Sequence, residues 1–191
     1  MFTTWQKAKV YTYDYPYAES LNPKLQRIIF EKAVTEDLGA KMTDWNCFNI
    51  KEFKLISNYV LNLQKEYALL ASPSCSWYLE LKDLWGQVYN KGDYQISHDH
   101  VPNHWSFVYY VNTPKGSSPL VFDNSGKKLR LKAGQLIIFP AWLRHNVPPN
   151  KCEGRMIIGG NLVYKERLRG MSLEQLTKDH SVTPHTKSVR L

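Results

Sequence analysis

The sequence predicts an α+β fold: a helical first part followed by a β-core of jelly-roll type. Three observations predict it. Apolar residues recur at helical spacing before residue 72. About eight short runs of strand-forming residues come after it. Turn-forming residues separate those runs at intervals that suit a sandwich or barrel. The 191 residues suffice for one domain with a substantial core, so 1–191 reads as a single unit. Its parts are a mainly helical scaffold over 1–72, a β-core over 73–164 and a basic polar tail over 165–191.

The scaffold follows a lead-in strand over Lys9 to Tyr13. Asn22 then Pro23 is a helix-start signal, a capping side chain before a ring preset for the first helical position. Leu25, Ile28 and Ile29 begin an apolar stripe, and Gly39 marks a stop. A second helix is predicted from Lys51 to Leu70. Phe53, Ile56, Val60, Leu63 and Tyr67 share one face of it and read as core packing.

The predicted strands are Ser76–Leu81, Gln87–Asn90, Tyr94–His98, Ser106–Val111, Pro119–Asp123, Lys128–Leu131, Gln135–Phe139 and Arg155–Tyr164. Between them lie turn formers such as Lys91-Gly92-Asp93, Asn124-Ser125-Gly126 and Glu153-Gly154. The tail holds six Lys/Arg against three Asp/Glu. A short helix over Ser172 to Lys178 is expected there, with fraying beyond it.

Composition narrows the function classes. Hydrophobic content of 43% and charged content of 22% exclude a disordered chain. The three cysteines, Cys47, Cys75 and Cys152, are odd in number and widely spaced, which argues against a disulfide framework or a Cys-rich zinc site. No apolar run approaches a membrane span or a signal peptide, so a cytoplasmic location without membrane attachment is expected. The net charge of +8 favours anionic substrates or partners in general. Nucleic acid is one such partner, but no motif supports it. No Walker loop, GxSxG elbow, HExxH pair or dinucleotide fingerprint occurs.

The histidines carry the chemistry. His98 and His100 stand two apart on a predicted strand, so both point to one side, as two ligands of one metal ion would. His145 follows 47 residues after His98, beyond a strand that ends at Pro140, and is the best third ligand. Asp99 would face the other way unless a bulge turns it inward. Asp123 is a second carboxylate alternative. His104 is expected in the next turn, on the substrate side of the site or behind its ligands.

The segment from Tyr89 through Gly92 and Tyr94 to His98-Asp99-His100 resembles the metal-binding stretch of the 2-oxoglutarate/Fe(II)-dependent oxygenases, in their prolyl-hydroxylase-like branch. The run from Ala133-Gly134 through Phe139-Pro140 and Trp142 to His145 looks like that superfamily's approach to its distal histidine. Trp105-Ser106, Tyr109-Tyr110-Val111 and Gly160-Asn161 bring the chain nearest to a small subgroup frequent in marine bacteria and their phages. The resemblance covers residues 76 to 164. It implies a double-stranded β-helix, cupin-like, backed by the N-terminal helices, and a location in the host cytoplasm if a phage encodes it.

The resemblance also implies cofactors and roles. Fe(II), 2-oxoglutarate and O2 are expected, with ascorbate as a reductant, and a substrate hydroxylated as succinate and CO2 leave. His98, His100 and His145 would be the metal-binding and catalytic set. Arg155, ten residues after His145, would bind the far carboxylate of 2-oxoglutarate. Tyr94, Tyr110 and Asn161 join it as cofactor-binding candidates, and Asn90 as a further polar one. Trp105 and Trp142 are expected at the mouth. The family's usual triad holds a carboxylate where this chain has His100, which leaves the metal more positive. The alternatives are a cupin-like metal-binding protein or isomerase without 2-oxoglutarate, and an inactive barrel serving as an interaction module. A homodimer formed through sheet edges is also expected to be open to such a barrel.

Overall fold

The computed structural model describes residues 8–37, 39–68, 77–166 and 186–190. Its elements run β1 (Lys9–Asp14), α1 (Ala18–Lys32), β2 (Thr35–Asp37), β3 (Ala40–Met42), a 3-10 turn (Cys47–Asn49), α2 (Lys51–Asn62), α3 (Gln64–Tyr67), β4 (Trp77–Tyr89), β5 (Gln95–His98), β6 (Trp105–Asn112), β7 (Leu120–Phe122), β8 (Lys127–Leu129), β9 (Gln135–Pro140), β10 (His145–Val147), β11 (Arg155–Glu166) and β12 (Thr186–Arg190). The strands form two antiparallel sheets. The larger has the order β12-β1-β9-β6-β11-β4-β3-β2, the smaller β5-β10-β7-β8.

Strand alternation sorts the large sheet's residues into two cores. Outward-facing Tyr13, Tyr109, Leu136, Ile138, Met156 and Ile158 pack with Leu25 and Ile29 of α1 and Phe53, Ile56 and Val60 of α2. Inward-facing Val10, Tyr110, Ile137, Phe139 and Ile157 pack with Leu120, Phe122 and Val147 of the small sheet. The helices therefore back the outer face, and the site lies between the sheets. Gly86 lets α1 come close: a Cβ there would sit 2.8 Å from Ile29. The α+β architecture with a two-sheet β-core is as the sequence predicts.

Several boundaries differ from expectation. Helix α1 starts at Ala18, not after Asn22. Asn22 is buried within the helix, and its Oδ1 accepts a 2.6 Å hydrogen bond from the Tyr109 hydroxyl. The helix ends at Lys32, so Gly39 (φ 89°) shapes the β2–β3 turn instead of stopping it. The second helix breaks at Leu63, whose N–H is shared between the Tyr59 and Val60 carbonyls. Its apolar face is buried as expected. The two strands expected around Ser76–Leu81 and Gln87–Asn90 are one, β4, which pairs with β11 along its length and absorbs Lys82 as a bulge opposite Asn161/Leu162.

The sequence also gave no sign of β10 or the β2–β3 hairpin. Thr186–Arg190 pairs with β1, so this piece of the tail extends the large sheet where fraying was expected. Leu70, the boundary at Pro73, Cys75, the expected helix over Ser172 to Lys178, His180 and His185 lie outside the described residues. Among the described residues no helix is long and apolar enough to cross a membrane.

Candidate metal centre and anion pocket

The small sheet brings the histidines together. His145 on β10 is the register partner of His98 on β5. His100 follows two residues beyond, its backbone N–H donating to the Ala141 carbonyl at 2.8 Å. The potential ligand nitrogens of His98, His100 and His145 all lie within 4.8 Å of one another. Ring centroids are 4.4 Å apart for His98 and His145, 4.9 Å for His98 and His100, and 5.1 Å for His100 and His145.

Two of these rings are held alike. His98 Nδ1 bonds the carbonyl of Ile96 at 2.8 Å, and His145 Nδ1 bonds that of Leu143 at 2.8 Å. A carbonyl only accepts, so in each ring Nδ1 carries the proton and Nε2 keeps a free lone pair. That is the tautomer a metal ligand needs. Phe122 and Phe139 enclose His145. Burial first, and neighbouring imidazoles second, lower the His145 pKa to about 4 and the His100 pKa to about 3. Both rings are therefore neutral at pH 7.

The carboxylates considered as alternatives are engaged elsewhere. Asp99 reaches the cavity rim, but its oxygens take the Arg144 guanidinium at 3.3 Å and the Val101 N–H at 3.2 Å. Asp123 accepts from Ser97 Oγ and, at 2.6 Å, from Asn146 Nδ2. These bonds, that from Ser97 foremost, lower its pKa despite some opposing desolvation. Neither belongs to the metal-competent cluster.

A cavity of about 240 Å³ extends from the histidines between the sheets, lined also by Trp45, Trp85, Gln87, Tyr89, Gln95 and Arg155. Arg155, 1% exposed, opens β11 opposite Tyr89. Its guanidinium lies 4.5 Å from the Tyr89 ring centre and 5.5 Å from that of Tyr110. Among the described residues its Nε and Nη1 have no hydrogen-bond partner, nor do Tyr110 Oη and Gln95 Nε2. Burial raises the Tyr89 pKa to about 12 and raises that of Tyr110, with Arg155 opposing each shift. Both phenols are therefore protonated. Buried donors without partners are costly, and an unpaired buried cation more so. The pocket is built for a small anion.

The other expected site residues go elsewhere. Tyr94 is 45% exposed and packs over Gly39, away from the cavity, because β5 begins only at Gln95 and turns that residue inward instead. Asn161 is buried but fully used at the β11 bulge, accepting from Ser106 Oγ and donating to Asp83. Asn90 ties the Lys91-Gly92 turn, bonding Asp93 and Gly154. His104 faces Tyr164, whose N–H it accepts, and does not line the cavity. Trp105 packs among Tyr11 and Tyr67 on the outer face. Trp142 is exposed and outside the lining.

The tryptophans at the mouth are Trp45 and Trp85, 4.6 Å apart, with Trp85 6.1 Å from His100. Trp85 sits on Gly159, where a Cβ would come within 2.5 Å of the indole. Sequence reasoning missed both. It also missed Gln87 and Gln95. The inward parity of β4 was the signal that could have found Trp85 and Gln87, whereas Gln95, an odd number of residues from His98, shares the cavity only through the register shift between β5 and β10.

Residues 83–132 match the family model described as "Putative 2OG-Fe(II) oxygenase". The matched stretch includes His98 and His100. His145 and Arg155 lie beyond the matched residues. The fold agrees with solved 2OG oxygenases. A viral collagen prolyl hydroxylase from Paramecium Bursaria Chlorella virus-1, in complex with 2OG, aligns with a TM-score of 0.63 at 14% identity, over 83% of this chain and 96% of that one. A Pseudomonas putida prolyl-4-hydroxylase gives 0.57 at 17% identity, over 84% and 94%. SnoN, a non-heme alpha ketoglutarate dependent epimerase from nogalamycin biosynthesis, gives 0.63 at 12% identity, over 89% and 84%. No curated protein matches the chain.

Proposed function

We propose that the protein is an Fe(II)- and 2-oxoglutarate-dependent dioxygenase that hydroxylates its substrate as 2-oxoglutarate is converted to succinate and CO2. The observation that carries this reading is the conjunction in one cavity of three metal-competent imidazoles and a buried arginine whose Nε and Nη1 lack hydrogen-bond partners among the described residues. A cupin-like metal protein without 2-oxoglutarate would have no use for that arginine.

The residues fit both cofactors. His98 and His145 would hold the metal through Nε2, their Nδ1–H bonds fixing each ring. His100 would complete the set. Three protein ligands leave positions open for 2-oxoglutarate and oxygen. The bound iron supplies the redox chemistry that activates oxygen. Arg155 would bind the far carboxylate through its planar fork, which suits two parallel bonds. Tyr110 would donate its hydroxyl to the same anion. Tyr89 supports the guanidinium from below. Phe122, Phe139 and Val147 exclude water from the inner end.

A cavity of about 240 Å³ suits a small dicarboxylate better than a dicarboxylate and a substrate together. The substrate would lie in the adjoining cleft of about 670 Å³, which shares Met42 and Trp45 with the cavity. Glu31, Asp44 and Lys32 mix charge there, so that cleft does not select an anion, whatever the net charge of the chain. Action in the cytoplasm agrees with a cavity whose function needs Fe(II) kept reduced.

The test is succinate release from metal-free protein given Fe(II), ascorbate and 2-oxoglutarate under air. Iron-dependent succinate that is lost in His98→Ala, His145→Ala and Arg155→Ala supports the reading. Absence of succinate, with no effect of 2-oxoglutarate on melting, rejects it.

A further inference from the structure

A directional hydrogen-bond relay runs along the cavity wall. The Tyr89 hydroxyl donates to Gln87 Oε1 at 2.8 Å, and Gln87 Nε2 donates to Gln95 Oε1 at 3.2 Å. Each member constrains the next. The protonated phenol fixes Gln87 with its oxygen towards Tyr89. Gln87 must then offer Nε2 to Gln95. Gln95 must present its oxygen to Gln87 and turn its own Nε2 the other way. That nitrogen is buried, with no partner among the described residues, in a side chain 6% exposed that lines the cavity with Arg155 and the histidines.

A buried amide could avoid an orphan donor by flipping. Flipping Gln95 would set two NH2 groups against each other, so the relay forbids it. An apolar side chain at 95 would remove the unpaired donor together with the acceptor of Gln87 Nε2, exchanging one orphan donor for another at little net cost to the fold. The donor has a use only when an acceptor enters the cavity.

We infer that Gln95 is a positioning residue for the anionic cosubstrate, its Nε2 held by the Tyr89–Gln87 relay to donate to an oxygen of 2-oxoglutarate. This rests on the dioxygenase reading and adds to it a ligand contact outside the Arg155–Tyr110 pair. The relay engages the side-chain oxygens of Gln87 and Gln95 and leaves the Gln95 Nε2 donor for the cavity.

The experiment is calorimetric titration of 2-oxoglutarate into the full chain loaded with Mn(II), which suits the same ligands and avoids turnover. Wild type, Gln95→Leu and Gln95→Glu are compared, with the metal-free melting temperature of each. One lost hydrogen bond to a charged group weakens Gln95→Leu binding about 10- to 100-fold, while its metal-free melting temperature stays near that of wild type, because the orphan Gln95 donor is exchanged for an orphan Gln87 donor. Gln95→Glu keeps the shape but places an acceptor where the donor was, so it binds more weakly still.

The rank order separates the roles. A merely structural role for Gln95 predicts the reverse, with the isosteric Gln95→Glu nearest to wild type. Wild-type affinity in Gln95→Leu, or in a folded Gln95→Glu should Gln95→Leu not fold, overturns the inference. Wild-type protein that binds no 2-oxoglutarate overturns the dioxygenase reading itself.

Discussion

Replacing Arg155 by methionine separates a ligand-binding arginine from a structural one. Methionine keeps the unbranched length and packs in irregular space. In the metal-free protein the change removes two buried nitrogens, Nε and Nη1, that lack partners among the described residues, each costing about 1–3 kcal/mol. It also removes two aromatic contacts, at 4.5 and 5.5 Å, each contributing about 0.5–2 kcal/mol. These effects nearly cancel and leave a small gain, about 1 kcal/mol, or roughly 3 °C in melting temperature for a chain of this size. An ordinary buried residue behaves otherwise, since most core substitutions destabilise. Binding moves much further. Two charge-assisted bonds at about 1.5–3 kcal/mol each weaken 2-oxoglutarate at least about 100-fold. The assay is thermal unfolding with and without 2-oxoglutarate in the Mn(II) protein. A variant that melts about 10 °C lower than wild type, or that keeps the full ligand-induced shift, refutes the reasoning.

Three further outcomes follow from the geometry. Burial holds His100 at about 3 and His145 at about 4, whereas an unfolded imidazole titrates near 6.5. The unfolded chain therefore takes protons first, so stability is complete above about pH 6.5 and is lost as pH falls towards the folded values. At about 1.4 kcal/mol per pH unit and group, the metal-free protein loses up to about 4 kcal/mol between pH 7 and 5, and urea midpoints that stay level over that range would contradict this. Gly159→Ala drives a methyl into Trp85 and lowers stability by about 1–3 kcal/mol with a change in indole fluorescence; an unchanged spectrum would show that Trp85 is not seated there. Trp45→Ala removes an exposed ring that packs against Trp85 at the mouth, so it leaves substrate-free succinate formation within about twofold of wild type, a change under about 0.5 kcal/mol. A tenfold loss would place Trp45 in cofactor binding instead.

What was legible in the sequence is what local pattern controls. The two-residue spacing of His98 and His100 places them on one side of an extended segment whatever surrounds it, and the apolar stripe of α2 needs only its own period. The same parity on β11 turns Arg155 inward. Boundaries set by distant partners were not legible. Asn22 looks like a cap, but Tyr109, 87 residues away, takes its side chain into the core. Lys82-Asp83 looks like a break in β4, but pairing with β11 absorbs it as a bulge. Tyr94 and Asn161 were placed at the site by resemblance, whereas one faces outward and the other is bound up with Ser106 and Asp83. Trp45 reaches the mouth through backbone bonding to β4, and Gln95 matters through what Gln87 and Tyr89 do to it. Neither leaves a motif.

Anaerobic equilibrium dialysis of the metal-free protein against Fe(II) tests the central claim most directly, with 2-oxoglutarate binding measured on the same samples. The account predicts about one iron per chain, iron binding lost in His98→Ala, His100→Ala and His145→Ala, and 2-oxoglutarate binding that needs both the metal and Arg155. Iron retained at wild-type affinity in His100→Ala, or 2-oxoglutarate bound equally well by Arg155→Met, would contradict it.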